Sequence, residues 1–193
     1  MTLDEIKDIA SKIDKNTSCG ELCDLLFAQD PGCIYYKFIF KLLEKIQPTA
    51  SVELGVCTGR CTAHIAGGCS SGKVFGIDPS PYEIGYIIAK YPNITLLRGR
   101  SDDPKILAQI PDKSLDFCFV DSDHSGRYTA SEVRLWKQKL KPNGIFLFDD
   151  IYLNASMTIF WDQLNLPKIN IPGQHLTGPN LDKDVGFGCA ICP

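Results

Sequence analysis

The chain has 193 residues, of which 44% are hydrophobic and 22% charged, so it is long enough for one domain with a sizeable core and short for two. Twenty Lys and Arg against 23 Asp and Glu give a net charge of −3, which argues against nucleic acid or an anionic membrane as a partner. No apolar run reaches the length of about 20 residues that spans a bilayer, and the amino terminus lacks a signal pattern. We therefore expect a single cytoplasmic domain, residues 1–193, with a small-molecule partner.

The amino-terminal part, residues 1–48, is predicted to be helical. Apolar residues recur at three- and four-residue steps from Leu3 to Ile13. A second such run extends from Ile34 to Ile46, just before Pro48. We interpret this part as a helical lead-in to a core that comprises residues 49–193.

From Ala50 onward the pattern changes to short apolar runs separated by helical stretches, which is typical of βαβ units. Five parallel strands are predicted: SVELGV (51–56), KVFGID (73–78), ITLLRG (94–99), LDFCFVD (115–121) and GIFLFDD (144–150). Helices are predicted near 58–66, 82–90, 103–109, 127–140 and 154–165, an irregular segment at 167–184 and a last strand at Val185–Ile191. Helices on both faces make this a doubly wound α/β sheet, which binds ligands at the carboxyl ends of its strands.

The first predicted strand runs into the segment Glu53-Leu54-Gly55-Val56-Cys57-Thr58-Gly59. Glycine at such a bend permits a sharp turn and a close ligand approach. The spacing G-x-x-x-G differs from the G-x-G-x-x-G fingerprint of dinucleotide sites, and the carboxylate of Glu53 would repel a phosphate. The pattern favours a neutral or cationic ligand, such as a sulfonium with an amino-acid tail. An ordinary tight βα turn is the alternative.

Polar residues also follow the second and third strands. Asp78 stands where a carboxylate can accept hydrogen bonds from a ribose diol, although it could instead cap the next helix. Ser101 and Asp102 could hydrogen-bond an adenine edge, and helix capping again competes as an explanation. The three positions gain weight because they follow consecutive strands in the order that a nucleoside site requires.

Acidic residues gather after the fourth and fifth strands. Asp121 and Asp123 follow LDFCFV, and Asp149 and Asp150 follow GIFLF. Carboxylates that lie close together raise one another's pKa unless a cation neutralises them, and Mg²⁺ prefers such oxygen ligands. The sequence thus predicts a possible metal site at this rim. The alternative is that Asp149 and Asp150 cap the following helix and Asp121 helps to close the sheet.

His124 is the residue that we expect to act as general base. An unperturbed imidazole titrates near pH ~6.5 and can accept a hydroxyl proton at neutral pH. The alternative is structural, with the imidazole hydrogen-bonded to Asp121 or Asp150. His175 lies in the late irregular segment, where it is a candidate for lining an acceptor pocket. Tyr128 is a candidate for stacking on a substrate.

Nine cysteines are present, several of them in apolar runs. We expect buried free thiols in a reducing compartment, because the number is odd and no second C-x-x-C with zinc-ribbon spacing occurs. Three pairs nevertheless have spacings used by metal or redox sites: Cys19 and Cys23, Cys57 and Cys61, and Cys189 and Cys192.

The segments VELGVCTGR, VFGIDPS, LLRGRSDD and LDFCFVDSDHSGRY…LKPNGIFLFDD together resemble the class I S-adenosylmethionine-dependent methyltransferases, from about Ser51 to the end of the chain. The last segment is most similar to the small-molecule O-methyltransferase group, which includes sugar O-methyltransferases, cephalosporin-hydroxylase-type proteins and, more distantly, catechol-type cation-dependent enzymes. The resemblance implies a Rossmann-like sheet of order 3-2-1-4-5-7-6 whose antiparallel seventh strand is Val185–Ile191. It also implies amino-terminal helices that cover the cofactor or form a homodimer contact.

The resemblance further implies S-adenosylmethionine as cofactor, and possibly Mg²⁺. Glu53 and Gly55 would lie by the methionine moiety, Asp78 on the ribose, and Ser101 with Asp102 near the adenine. The full set of expected cofactor-binding residues is Glu53, Gly55, Gly59, Asp78, Ser101, Asp102 and Asp121.

In the resembled cation-dependent enzymes the metal is held by acids at the positions of Asp121, Asp149 and Asp150 and orients a substrate hydroxylate. This sequence departs from the catechol-type pattern, because Asp150 replaces an Asn and His124 stands where a catalytic Lys is expected. The expected activity is O-methylation of a small hydroxylated molecule, with His124 and Asp121 as catalytic residues. A noncatalytic nucleoside-binding module is the alternative, and a nicotinamide-dependent oxidoreductase is disfavoured by the glycine spacing.

Overall fold

The computed structural model of this protein describes residues 1–28, 34–82, 84–177 and 183–193. Its amino-terminal part contains α1 (Leu3–Ser11), α2 (Glu21–Leu26) and α3 (Ile34–Ile46). Thr2 and Glu5 form a capping box at the start of α1, in which each side chain accepts the other residue's backbone N–H. The predicted helicity is confirmed for α1 and α3, whereas α2 was not predicted as a separate helix.

Strands and helices alternate after residue 49, as the sequence predicts. The strands of this part are β1 (Ala50–Leu54), β2 (Lys73–Asp78), β3 (Ile94–Arg98), β4 (Leu115–Val120) and β5 (Leu140–Phe148). The helices are α4 (Arg60–Gly68), α5 (Gly85–Lys90), α6 (Pro104–Leu107), α7 (Gly126–Trp136) and α8 (Ala155–Gln163). Four short strands follow: β6 (Lys168–Asn170), β7 (Leu176–Thr177), β8 (Lys183–Asp184) and β9 (Gly188–Ile191).

Seven of these strands form one sheet in the order β3-β2-β1-β4-β5-β9-β6. Strands β1 to β5 are parallel, and β9 runs antiparallel to both β5 and β6. Counted along this sheet the order is 3-2-1-4-5-7-6 with an antiparallel seventh strand, so the predicted Rossmann-like fold is confirmed. The remaining strands, β7 and β8, pair with each other.

Several boundaries differ from the predictions. The predicted helix 127–140 ends at Trp136, because the chain re-enters the sheet at Leu140, which pairs with Leu115 of β4. The segment predicted as irregular contains β6, and its residues 178–182 lie outside the described residues. The last strand begins at Gly188 and not at Val185, since Gly186 has a φ of +85° that interrupts an extended backbone.

The sheet is covered on both faces. Successive side chains of β4 enter opposite cores: Phe117 and Phe119 pack on the side of α3 and α4, and Cys118 and Val120 on the side of α7 and α8. Burial on both faces explains the continuous apolar run of this strand. Among the described residues no helix is both long and apolar enough to cross a lipid bilayer.

Candidate active site

Gly55 forms the bend where β1 leaves the sheet. Its φ is +96°, and a Cβ at this position would lie 1.9 Å from the carbonyl oxygen of Asp121, at the end of the neighbouring strand β4. Gly59, with a φ of +76°, directly precedes α4, and a Cβ there would lie 2.9 Å from the side chain of Ile84. Both positions therefore require glycine because of their backbone conformation and close packing. These local reasons are the ones that the tight βα turn, the alternative to a ligand site, predicts.

Glu53 is completely buried behind this bend. Its Oε2 accepts a hydrogen bond from the hydroxyl of Thr62, and its Oε1 has no hydrogen-bond partner among the described residues. Burial raises the pKa of Glu53 to about 8, so the side chain is mostly protonated at neutral pH. Glu53 lies next to the last residue of β1 and does not line the adjacent cleft.

Asp78 ties the glycine bend to the end of β2. Its Oδ2 accepts the backbone N–H groups of Val56 and Cys57, each at 3.0 Å, and its Oδ1 accepts that of Ser80 at 2.7 Å. Helix α5 starts only at Gly85, without a side-chain cap, so Asp78 does not cap it. A carboxylate offers about four acceptor positions, which leaves one on Oδ1 for a ligand hydroxyl.

A cleft of about 230 Å³ opens beside Asp78, at the carboxyl ends of β1, β2 and β4. It combines apolar faces with carboxylate and hydroxyl groups. The residues that line it are Gly55, Ile77, Asp78, Pro79, Arg100, Ser101, Ser122, Asp123 and Tyr128. Three of the seven expected cofactor-binding residues are thus brought together here, namely Gly55, Asp78 and Ser101.

Glu132 of α7 supports this cleft from behind. Its carboxylate accepts hydrogen bonds from the hydroxyls of Ser101 and Ser122, and its exposed fraction is 0%. Burial raises the pKa of Glu132 to about 7. Sequence reasoning missed this residue, although a signal was present. The buried face of α7 carries Thr129, Glu132, Val133 and Trp136, and a charged residue at helical spacing on such a face indicates a buried polar contact.

Asp102 does not line the cleft. Its carboxylate forms a paired contact with Arg100, whose guanidinium in turn stacks over the ring of Tyr128 at 4.9 Å from the centroid. The pair lowers the pKa of Asp102, because the Arg100 hydrogen bonds favour its charged form. Tyr128, the predicted stacking residue, also contacts the hydroxyl of Ser101 at 3.0 Å.

The carboxylate of Asp121, which follows β4, does not line the cleft and instead contacts a group of acidic and histidine side chains. Nε2 of His124 lies 2.8 Å from Asp121 Oδ1, and Nδ1 of His124 lies 3.3 Å from Asp150 Oδ2. His124 and Asp150 have φ values of +56° and +57°, a left-handed conformation that is unfavourable for residues other than glycine. We call Asp121, His124, Asp149, Asp150 and His175 the acid–histidine cluster.

His175 joins this cluster from the connection between β6 and β7. Its Nδ1 lies 2.6 Å from Asp149 Oδ1 and 3.3 Å from Asp150 Oδ1, and its ring packs on Tyr35 with centroids 5.0 Å apart. Ligand atoms of Asp149, Asp150 and His175 all lie within 4.8 Å of one another, a spacing that a metal ion could bridge. Asp150 Oδ1 is buried and has no hydrogen-bond partner among the described residues.

The electrostatics of the cluster differ from the expectation of a neutral histidine. The hydrogen bond with Asp121 raises the pKa of His124 to about 9, so the imidazole is protonated at neutral pH when no cation is present. Burial and the nearby Asp149 raise the pKa of Asp121 to about 7, and burial also raises that of Asp150. The hydrogen bond of His124 to Asp121 that the structural alternative predicts is present.

Comparison with known proteins identifies related folds. The sequence model of a family described as a methyltransferase domain matches residues 52–151. A methyltransferase from Podospora anserina, solved with SAH bound, has a TM-score of 0.67 at 14% identity, covering 98% of this chain and 95% of that one. An O-methyltransferase from Bacillus cereus, solved in complex with SAH, has a TM-score of 0.63 at 18% identity, covering 99% of this chain and 90% of that one.

A methyltransferase from Geobacter sulfurreducens has a TM-score of 0.66 at 14% identity, covering 100% of this chain and 96% of that one. At these identities the similarity to solved structures demonstrates a shared fold. No curated protein has a sequence that matches this chain at a significant level.

Proposed function

We infer that this chain, which belongs to the methyltransferase domain family, is an S-adenosylmethionine-dependent enzyme that methylates a hydroxyl oxygen of a small molecule. One observation carries the finer part of the proposal. Consecutive residues of one loop connect the cleft to the acid–histidine cluster: Asp121 belongs to the cluster, and Ser122 and Asp123 line the cleft. A donor in the cleft and an acceptor at the cluster would therefore be neighbours.

The cleft suits the nucleoside part of S-adenosylmethionine. Its volume of about 230 Å³ is below the ~300–1,000 Å³ that is common for complete ligand sites, so it would take only part of the cofactor. Arg100, the one cation among the described residues that line it, is already paired with Asp102, while Asp78 and Asp123 contribute negative charge. This balance disfavours a diphosphate and favours a sulfonium, which argues against the oxidoreductase alternative.

Four of the lining residues have a defined task in this proposal. Asp78 would hold a ribose hydroxyl through the remaining acceptor position on Oδ1 while it fixes the glycine bend. Ser101 and Tyr128 would contact the base, positioned by Glu132 and Arg100. When bound, S-adenosylmethionine supplies an electrophilic methyl group on a positively charged sulfur.

Asp121 would accept the proton of the acceptor hydroxyl, and His124, which is protonated at neutral pH, would position the Asp121 carboxylate. Because the pKa of Asp121 is raised to about 7, its carboxylate is a stronger base than an ordinary aspartate and is still ionised in a large fraction of molecules at neutral pH. His124 holds this carboxylate by the 2.8 Å contact and stabilises its charge. Proton transfer of this kind contributes about 10²–10⁴-fold to a rate, whereas alignment of the reacting groups can contribute more.

A divalent cation fits the acid–histidine cluster. Asp150 Oδ1, which accepts no hydrogen bond from the described residues, the buried Asp149 and the imidazole of His175 form a donor set that Mg²⁺ or Mn²⁺ can use. Asp121, the third ligand expected from the sequence, is engaged with His124, so we propose His175 in its place as the third ligand. When bound, a cation there would stabilise the negative charge of a deprotonated acceptor.

Two further expectations complete the proposal. A reducing, cytoplasmic location agrees with the free thiols of the eight described cysteines. The homodimer suggested by the resemblance stays a prediction, as does the role of the helical lead-in in covering the cofactor.

Isothermal titration with S-adenosylhomocysteine, followed by transfer of labelled methyl from S-adenosylmethionine to catechol, flavonoid and sugar acceptors, tests the proposal. We expect binding, and turnover on at least one hydroxylated acceptor that requires Asp121. Binding without turnover on any acceptor would favour the noncatalytic module. Absence of binding to both cofactor forms would contradict the proposed function.

A further inference from the structure

A second polar cavity lies away from the cleft, between the lead-in and α4. It has a volume of about 290 Å³ and is lined in part by Cys19, Cys23, Lys37 and His64. Cys19 lies two residues before the start of α2, and Cys23 lies in the first turn of that helix, so both cysteines line the same wall of the cavity and their thiols interact. This is one of the three pairs singled out by spacing, and the methyl-transfer site does not use it.

His64 is oriented to accept a proton from Cys19. Its Nδ1 lies 2.8 Å from the carbonyl oxygen of Arg60, which can only accept, so Nδ1 carries the ring proton and Nε2 is the acceptor. The imidazole lines the same cavity as Cys19, lowers the pKa of that thiol, and is held in place by the ring of Phe27, with centroids 5.2 Å apart. Base and thiol thus have the arrangement that activates a cysteine nucleophile.

The charged groups around the pair favour a thiolate at Cys19 over one at Cys23. Lys37 lines the cavity, anchored on the carbonyl oxygens of Lys15 and Thr17, while Asp24 accepts the backbone N–H of Cys19 and its charge raises the pKa of Cys23. The hydrogen bonds from Cys23 and His64 lower the pKa of Cys19, and the same contact and burial raise that of Cys23. Tyr91 also contacts Cys23.

The other described cysteines lack this environment. Cys61, Cys118 and Cys189 are buried, and burial raises the pKa of each thiol. Cys57 is exposed but has no second cysteine in hydrogen-bond contact among the described residues. Cys19 and Cys23 are each only 2% exposed, so a reactant must be small enough to enter through the cavity.

We propose that Cys19 and Cys23 are a dithiol site that reacts with hydroperoxides, with Cys19 as the attacking and Cys23 as the resolving thiol. His64 takes the Cys19 proton, and the thiolate sulfur attacks one peroxide oxygen. The O–O bond breaks, and the leaving hydroxide takes the proton from His64 to form water, leaving a sulfenic acid. The sulfur of Cys23 then attacks that of Cys19, and the hydroxyl leaves as water with the Cys23 proton. Two electrons pass from the dithiol to one peroxide.

Hydrogen peroxide and peptide mass spectrometry of the full chain test the proposal. Cleavage after Glu21 separates the two cysteines, so the disulfide appears as linked peptides that dithiothreitol releases. Cys33→Ser removes the third cysteine of this region and should leave the linked product unchanged. Cys23→Ser should stop at a Cys19 sulfenic acid that dimedone traps.

His64→Asn separates chemical from structural roles. We expect its reaction to be slower than that of the wild type by about tenfold at pH 6.5 and nearly equal at pH 9, where thiolate forms without a base. Equal rates at both pH values, or oxidation of Cys57 with Cys19 and Cys23 left as thiols, would overturn the proposal. Failure of methyl transfer would not affect these measurements.

Discussion

Ser122 donates to the carboxylate of Glu132 with its Oγ 2.8 Å from each of the two oxygens, which joins the end of β4 to the buried face of α7. Ser101, from the loop after β3, hydrogen-bonds the same carboxylate. One buried side chain therefore fixes two hydroxyls of the cleft wall. Because the hydroxyls would otherwise rotate freely, Glu132 prepares the cleft for a ligand before the ligand arrives.

Replacement of Glu132 should weaken cofactor binding. In Glu132→Ala the hydroxyls of Ser101 and Ser122 lose their acceptor, and we expect the Kd for S-adenosylhomocysteine to rise about tenfold, which corresponds to one lost charge-assisted hydrogen bond. Isothermal titration calorimetry measures this Kd. Glu44→Ala serves as the control, because Glu44 of α3 is exposed, pairs with Lys41 and does not line the cleft, and should change Kd less than about twofold. A larger effect of Glu44→Ala than of Glu132→Ala would contradict the geometry.

The pH profile of methyl transfer should report the Asp121–His124 pair. A base acts in its deprotonated form, so kcat should rise with pH through an apparent pKa of about 7, the value of Asp121. In His124→Gln the carboxylate loses its charged partner while Asp149 and Asp150 remain, which raises its pKa further. We therefore expect the rise to move to higher pH. If the pH dependence of kcat were the same in His124→Gln as in the wild type, a group other than Asp121 would be the one that titrates.

Cation binding should depend on His175. Nδ1 of His175 contacts Asp149 and Asp150, so a cation and the ring proton compete for the same space, and affinity for Mn²⁺ should fall as pH decreases. His175→Gln should weaken Mn²⁺ binding by about ten- to a hundredfold, as loss of a ligand or its support does. Cys57→Ser, at an exposed position outside the cluster, is the control. Equal Mn²⁺ affinity of His175→Gln and wild type would exclude His175 as ligand.

The stability of the fold should decrease from pH 5 to pH 8 in part because of Glu53. Its pKa is about 8 in the folded chain against an ordinary value of 4.5, so the unfolded chain ionises first and is stabilised relative to the folded chain as pH rises. The contribution is fully present below the unfolded pKa and lost as pH rises through the folded value. Urea unfolding of Glu53→Gln should show a smaller decrease over this range. A steeper decrease would contradict the assigned pKa.

Gly55 and Gly85 form a matched pair for testing the bend. Gly55→Ala places a Cβ 1.9 Å from the Asp121 carbonyl oxygen at a φ of +96°, and we expect the free energy of unfolding to fall by more than about 3 kcal/mol. Gly85 starts α5 with no atom within 4 Å of an added Cβ, so Gly85→Ala should be neutral or slightly stabilising. Similar losses for both variants would mean that the close approach is not what selects glycine.

The strands and part of the cleft could be predicted from local sequence patterns, whereas the order of the sheet followed from the resemblance to a known family. Apolar runs identify the strands, and residues at successive strand ends meet at one edge, as Gly55, Asp78 and Ser101 do. The bounds of β5 were less predictable, since Leu140 enters the sheet through pairing with Leu115, which is a tertiary contact.

The partners within the site depend on distances that spacing does not encode. Asp121, Ser122 and Asp123 are consecutive, yet the first faces the acid–histidine cluster and the other two the cleft. His175 reaches Asp149 across 26 positions of the chain, from a segment without periodicity. Its place in the cluster depends on the path that brings this segment to the end of β5, and no local sequence pattern indicates that path.

The position of His175 also restricts how the enzyme could be given a new acceptor. The connection that carries it is the natural segment to exchange in loop grafting, since such surface connections often decide which molecule is accepted. Any transplanted loop would have to bring an imidazole back to Asp149, or the engineered protein would lose the proposed third cation ligand in the same step as its selectivity changes.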